Sequence, residues 1–587
     1  MTTESTDTPD ELEAVADLDA LRDRGRTVTM AGGQPIALFH HEGEVYAVDN
    51  RCPHMGFPLS KGTVEDGMLT CDWHHARFEL AEGDTLDIWA DDVRTFPTEL
   101  RDGSVYVDPD PEPDVAPAVH WRNRLVDGMS ENLGLVTSKA VVHLDHYGEG
   151  FSTPLETAVD FGTKYRADGW GRGLTTLGAV ANLYDDVAHD EKLRALVTGV
   201  TSVADNCAGE PPRFDQYALE NDDLSKRRLK SWFRETCEVR DSNGAERCLR
   251  AAANVLDRDD LVEILVAAAT DHLYMNSSHT IDFVNKAVET LDHVGWERRE
   301  DVLATTVDTV TDGSRAEETG AWRNPVDVAE LCFDAAEELP DMTAAGAGKR
   351  WERPDDFVET LLSDDPHGID EALRDAVAGG ATTEQLAHAV AVATLRRIVQ
   401  FGTSNEFNDW NTVHHTFSFA NAVDSLARRT DADEVYRACW QGAMKVYLDR
   451  FLNQPRRPIP DATDGEGEDP AELRERLLAA FDEQGRVDEA GRVVAAHFGA
   501  GGDPAELQRT MAEGLFREDA GFHTLQNVEA GFRQFDLART DHERRLALVA
   551  PARYMAAHFP TRREDEQTFN IAQRLFRGET VHEGGAD

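Results

Sequence analysis

Two short segments, Cys52-Pro53-His54 and Cys71-Asp72-Trp73-His74, stand sixteen residues apart and constrain this chain more than any other feature in it. The pattern C-x-H-x16-C-x2-H puts two thiolates and two imidazoles into a pair of loops, a donor set suited to a soft or borderline metal. Two Cys and two His can hold Zn(II) tetrahedrally, but zinc knuckles usually pair Cys with Cys and His with His, and here each loop carries one of each. The flanking stretches TVTMAG, PIALFHHEG, EVYAVDN and SVYVDP are short, β-branched or aromatic, and bounded by Gly, Asn and Asp, which predicts a small antiparallel β-domain. Gly33, Gly43 and Gly103 fall where its tight turns are needed.

On the segments EVYAVDNRCPHMGFPLSKG, VEDGMLTCDWHHARFEL and DGSVYV, the stretch from about Val28 to Val107 resembles a Rieske ferredoxin domain. The resemblance implies a [2Fe-2S] cluster with Cys52 and Cys71 on one iron and His54 and His74 on the other. Neutral imidazoles leave such a cluster less negative than four thiolates would, so it accepts an electron more readily. High-potential members carry two further Cys that tie the loops together; Phe57 and Trp73 occupy those positions, so the chain is similar to the lower-potential soluble type. It departs from the usual C-P-W-H-G of the second loop at Asp72 and His75. An acidic side chain there favours the oxidised cluster, and His75 reads either as an exposed loop residue or as an extra proton-exchanging group. The resemblance also implies that the imidazoles of His54 and His74 are exposed at the tip, where electrons leave.

Net charge is −52, from 111 acidic and 59 basic residues, of which nine are Lys, and the acid is spread along the whole chain. A uniformly acidic, Lys-poor surface suits a salt-loaded, halophilic cytoplasm in which self-repulsion is screened. It excludes nucleic acid as a partner, since a polyphosphate would be repelled. No run approaches eighteen apolar residues and the N-terminal residues lack a basic start and apolar stretch, so neither a membrane span nor an export signal is expected. Beyond the two loop thiols, Cys207, Cys237, Cys248, Cys332 and Cys439 are scattered and odd in number, the usage of a reducing interior. These features point to a cytoplasmic protein.

The expected organisation is a polar N-terminal arm over 1–24 whose residues from Pro9 read as a short polar helix or arm, the β-domain over 25–108, a Pro/Asp-rich linker over 109–119, a helical domain over 120–452, an acidic linker over 453–472 and a last helical segment over 473–587. The fold class is therefore multidomain, an antiparallel β-domain followed by mainly α-helical sequence with internal repeats. The repeats are carried by SHTIDFVNKAVETL from Ser278, HHTFSFANAVDSL from His414 and FHTLQNVEAGFRQF from Phe522. Each pairs His with Thr ahead of an apolar helix, with an acid-capped helix before and another helix after. In a fourth, degenerate copy, GLTTLGAVANLYDD, Thr175 stands in place of the His.

If the copies pack around a common axis, His279, His415 and His523 converge and, with Asp282, Glu406 or Asp409, bind a second, non-haem metal ion. They are also the candidate catalytic residues. His272, His388, His414, His497 and His558 are further candidates. A competing reading is structural, since Thr is a good N-cap and a His beside it can bond a neighbouring helix end, and a third makes these histidines substrate-binding or acid/base groups. The D-x2-H-x4-5-H motif of ring-hydroxylating terminal oxygenases is missing, and HLDHYGEGF (His143, His146) does not supply it. The repeat helices faintly resemble the carboxymuconolactone-decarboxylase helical unit, without the C-x2-C of its peroxidatic relatives. No G-x-G-x-x-G nucleotide fingerprint follows a strand, so electrons are expected from a separate reductase or ferredoxin. Two readings follow. One is an oxidoreductase whose helical part holds a small-molecule substrate or second metal; the other is an electron carrier or redox sensor on a protein-binding helical module.

Overall fold

The computed structural model describes residues 12–581 apart from 114, 222, 275–278 and 404–406, with the backbone alone at 407 and 464. Among these residues the chain forms two compact units: one comprises the residues up to Pro154 together with those from Gln567 on, and the other is Leu155–Glu566.

The first unit is built on three three-stranded antiparallel sheets. Strands β1 (Glu13–Asp17), β9 (Ser104–Val107) and β8 (Thr98–Arg101) make one; β2 (Arg26–Ala31), β3 (Gln34–His41) and β4 (Glu44–Asp49) make the second; β5 (Thr63–Glu65), β6 (Met68–Thr70) and β7 (Arg77–Glu79) make the third. The hairpin between β2 and β3 turns at Gly32 and Gly33, and the one between β3 and β4 at Glu42 and Gly43, all with positive φ. Leu38, Val45, Ala47, Phe96 and Val105 form one core, and Phe39, Val48, Leu59, Leu69 and Phe78 form a second that also encloses Cys52 and Cys71.

Residues 13–24 carry more structure than the polar arm or short helix expected there. Glu13–Asp17 pairs with Ser104–Val107, and the helix Leu18–Arg24, capped by Asp17, buries Leu18 and Leu21. The two leucines sit on one face of a short charged stretch, too few to register as a periodic pattern. The Pro/Asp-rich stretch also departs from a free linker: Gln34 donates to the Pro109 carbonyl at 2.9 Å, and a helix starts at Pro117. The helices Pro117–Ser130 and Gly134–His146 belong to this unit, as do the residues from Gln567, which the sequence had placed with the helical domain.

The second unit is helical. At its centre four helices, Arg172–Leu183, Thr280–Val294, Phe407–Leu426 and Phe522–Leu537, close a ring in which each packs against two others. Three of these are the helices that carry the repeated His-Thr, and the fourth carries Thr175. Their outer faces pack on helices such as Thr383–Val399 and Asp541–His558, through an apolar core that includes Leu395, Phe417, Leu525 and Leu548. The inner faces are polar. No helix among the described residues is long and apolar enough to cross a membrane.

Candidate functional sites

The two Cys/His loops share one backbone design. The amide of Cys52 donates to the Phe57 carbonyl and that of Gly56 returns to Cys52; the amide of Cys71 donates to Ala76 and that of His75 returns to Cys71, all at 2.7–2.9 Å. Each loop thus curls around its Cys, and the residue four positions on must take a left-handed conformation. Gly56 does so at φ 78° and His75 at φ 62°. Glycine adopts this at no steric cost and histidine does not, which gives the departure at position 75 a physical meaning. His75 is exposed. Gly56 has a second reason to lack a side chain, because a Cβ there would come within 3.2 Å of the Thr580 backbone.

The four donors meet. Both thiols are buried and hydrogen-bonded to each other, which pushes Cys52 up and brings Cys71 down to about 6. The rings of His54 and His74 lie edge to face with centroids 4.9 Å apart. Burial, then the neighbouring His74, lowers His54 to about 4, so it is a neutral base ready to ligate. His54 Nδ1 is buried with no hydrogen-bond partner among the described residues. Two sulfurs, two imidazoles and an orphaned ring nitrogen in one place fit a [2Fe-2S] cluster. His74 is exposed as expected, but His54 is half-buried, because Trp89 packs edge-on against it at 4.7 Å. Phe57 and Trp73 lie 6.0 Å apart, ring to ring. Asp72 is exposed and receives a bond from the Thr63 hydroxyl at 3.2 Å.

Behind the first loop lies a charged cluster that no sequence signal disclosed. Asp91 is buried and ion-paired with both Lys139 and Arg124; Arg124 also donates to the Ile88 and Ala90 carbonyls. Lys139 Nζ donates to the Pro53 carbonyl at 3.0 Å, between the two donors of the first loop. These residues are more than thirty positions apart from their partners, so nothing local marks them. His143 stacks on Trp121 at 3.7 Å, and His146 lies against Phe576.

The second site is in the helical unit. His279, His415 and His523 each offer a ring nitrogen, and the three nitrogens lie within 4.8 Å of one another. His415 Nε2 and His523 Nε2 are 3.0 Å apart. Two imidazole nitrogens face each other at that distance either across a shared proton or around a metal. Burial, and then the other imidazoles, lowers both to about 3, so both rings are neutral, either one donating its N–H to the other's bare nitrogen or both turning lone pairs to a metal. His279 Nδ1 is 3.3 Å from Asp282, which orients its ring, and Asp282 in turn accepts a 2.7 Å bond from Gln526. His414 flanks the trio, its ring 5.0 Å from that of His523.

Other expected donors lie elsewhere. Asp409 sits in the first turn of the Phe407–Leu426 helix, outside the trio, and Glu406 lies outside the described residues. His272 is held between Glu317 and Glu238, His388 lies 3.4 Å from Glu543 and 3.6 Å from Asp424, and His558 bonds the Tyr554 carbonyl. Both ring nitrogens of His497 are buried without a partner. Thr175, the position equivalent to the His in the fourth copy, accepts from Trp170 Nε1 at 2.9 Å.

Further along the same ring the polar interior continues. Lys286, fully buried, donates to Glu289 at 2.7 Å and to Glu529 at 2.6 Å, while Asn182 and Ser425 complete the shell around the two carboxylates. Burial pushes Glu289 up, but the ammonium outweighs it and holds that carboxyl low; Glu529 is pushed up.

Residues 11–97 match the family model of the Rieske [2Fe-2S] domain. The chain is 42% identical over 74 residues to the 3-phenylpropionate/cinnamic acid dioxygenase ferredoxin subunit of Photorhabdus laumondii, spanning 12% of this chain and 70% of that one. It is 34% identical over 98 residues to the ferredoxin component of the naphthalene 1,2-dioxygenase system of Pseudomonas putida, spanning 16% of this chain and 93% of that one. Among solved structures, the ferredoxin of carbazole 1,9a-dioxygenase from Nocardioides aromaticivorans IC177 aligns over 17% of this chain and 98% of its own, with 24% identity and a TM-score of 0.16.

Proposed function

Since the chain belongs, through its N-terminal domain, to the Rieske [2Fe-2S] family, we propose that it is an iron–sulfur oxidoreductase that passes electrons through its cluster to a second metal in the helical unit. The cluster supplies one-electron chemistry. Cys52, Cys71, His54 and His74 would hold it, and His74, being exposed, would offer the edge for electron exchange. The buried ammonium of Lys139, bonded to the Pro53 carbonyl, stabilises the more negative, reduced state. Electrons come from a separate reductase or ferredoxin, a reading supported by the similarity to ferredoxin components of dioxygenase systems.

One observation carries the second half of the reading. Three imidazoles, from segments more than a hundred residues apart in sequence, bring their ring nitrogens together, with no protein acceptor common to all three among the described residues. Structural histidines in a repeated fold would be spread around it, each with its own partner. In this reading the helical unit arose by duplication of a helix–helix–helix module around a common axis, and its metal acts on a small molecule. The acidic, Lys-poor composition supports work in a salt-loaded cytoplasm.

The test is spectroscopic. Protein reduced with dithionite should give the paramagnetic signal of a Rieske centre, lost in Cys71→Ala and kept in a His279→Ala/His415→Ala/His523→Ala variant. A cluster signal that vanished in the triple variant would sink the separation of the two sites.

A further inference from the structure

Imidazole ligates only as a neutral base, so three of them give a divalent ion no compensating charge. The carboxylate beside the trio is already engaged: Asp282 Oδ2 accepts from Gln526 Nε2 at 2.7 Å and stands 3.3 Å from His279 Nδ1. Among the described residues the converging donor set is His279, His415 and His523 alone. Three protein ligands leave coordination positions open, and a dication held at this half-buried site by neutral donors has no charge partner among its ligands.

A second deficit lies next to the first. Asn527 Nδ2 meets His414 Nδ1 at 3.0 Å, so Nδ1 accepts and the ring proton sits on Nε2. That Nε2 is buried and has no partner among the described residues, and the ring is 5.0 Å from His523. A buried N–H without an acceptor is costly to a fold, and natural proteins keep few of them. One group satisfies both deficits: a deprotonated oxygen that binds the metal and accepts from His414.

We propose that the three-histidine site takes a small organic oxyanion, of the enolate, catecholate or carboxylate kind, directly on its metal, with His414 Nε2–H hydrogen-bonded to it. This rests on the metal reading given above. His414 is here a specificity-determining residue, favouring anionic oxygen over neutral ligands.

Cobalt(II), which has a visible spectrum sensitive to its ligands, tests this on the full chain. Cobalt is loaded first and its content measured against the triple-alanine variant; no triad-dependent cobalt would overturn the metal reading and this proposal together. With cobalt bound, azide and catechol should each shift the band saturably at constant ionic strength, while neutral pyridine at the same concentration leaves it in place. Retained cobalt whose band responds to pyridine as readily as to the anions, or to none of them, would overturn the oxyanion proposal and leave the metal reading standing. His414→Phe should weaken azide about tenfold or more at unchanged cobalt content, the size of a hydrogen bond to a charged group. His414→Gln, which restores an N–H, should recover part of that. Equal azide affinity in wild type and His414→Phe would remove His414 from the assignment.

Discussion

The two candidate centres gather their donors by opposite means. In the β-domain four donors come from two loops that make the same backbone turn, each Cys bonded to residues four and five positions ahead. The geometry is local, and the spacing in the sequence is nearly the geometry itself. In the helical unit three donors come from three helices, and no bond within any one of them foretells where the others lie. The first site is assembled by short-range hydrogen bonds, the second by packing of a ring of helices. The first should therefore survive damage to the ring, and the second should fail with it.

The sharpest way to break this comparison is to remove one centre and ask about the other. Cys71→Ala should abolish iron–sulfur absorbance entirely while leaving the triad's metal content unchanged; joint loss of both would contradict independent assembly. A smaller but large effect is expected from Lys286→Met. It leaves Glu289 and Glu529 facing each other, both nine-tenths or more buried, without their ammonium. Breaking a buried ion pair costs on the order of 3–5 kcal/mol. Calorimetry should show this in the unfolding of the helical unit, with cluster absorbance at room temperature unaltered.

The difference in legibility follows from the same contrast. The Cys52, His54, Cys71 and His74 pattern could be read because its donors sit at fixed short spacings and its strands alternate between turns. The convergence of His279, His415 and His523 could be anticipated only because the helices repeat a His-Thr start; without the repeat, three single histidines carry no signal. The Asp91–Lys139–Arg124 cluster and the placement of the last helix residues with the β-domain had no such pattern, being contacts between distant segments. Residues 18–24 form the short helix allowed for there, but two buried leucines in a charged stretch gave no sign of its packing or of the strand Glu13–Asp17 before it.

Acidification sharpens the comparison further. His415 and His523 are held near 3 in the folded, metal-free protein, below their value of about 6.5 in an unfolded chain. Between these values the unfolded chain binds more protons, so their contribution is complete above about pH 6.5 and is lost as pH falls towards 3. The loss is at most about 1.4 kcal/mol per pH unit for each imidazole. Denaturant unfolding of metal-free protein at pH 7 and pH 5 should show a drop larger in wild type than in a variant with both rings replaced by Phe. An equal drop would remove the histidines as its cause.

The smallest effect is expected at the loop that departs from its twin. His75→Gly relieves a left-handed conformation at an exposed position and should stabilise the β-domain by about 1 kcal/mol or less, with the cluster spectrum unchanged. A destabilised variant would mean that the His75 side chain makes a contact worth more than the strain.

The central claim, two separate metal centres in one chain, is tested most directly by counting. Iron and acid-labile sulfide are measured per chain in protein purified from iron-replete cells in high salt. The account predicts three iron and two sulfide, falling to two and two when His279, His415 and His523 are replaced by Ala. Two iron and two sulfide in the wild type, with no further metal retained after loading, would contradict it.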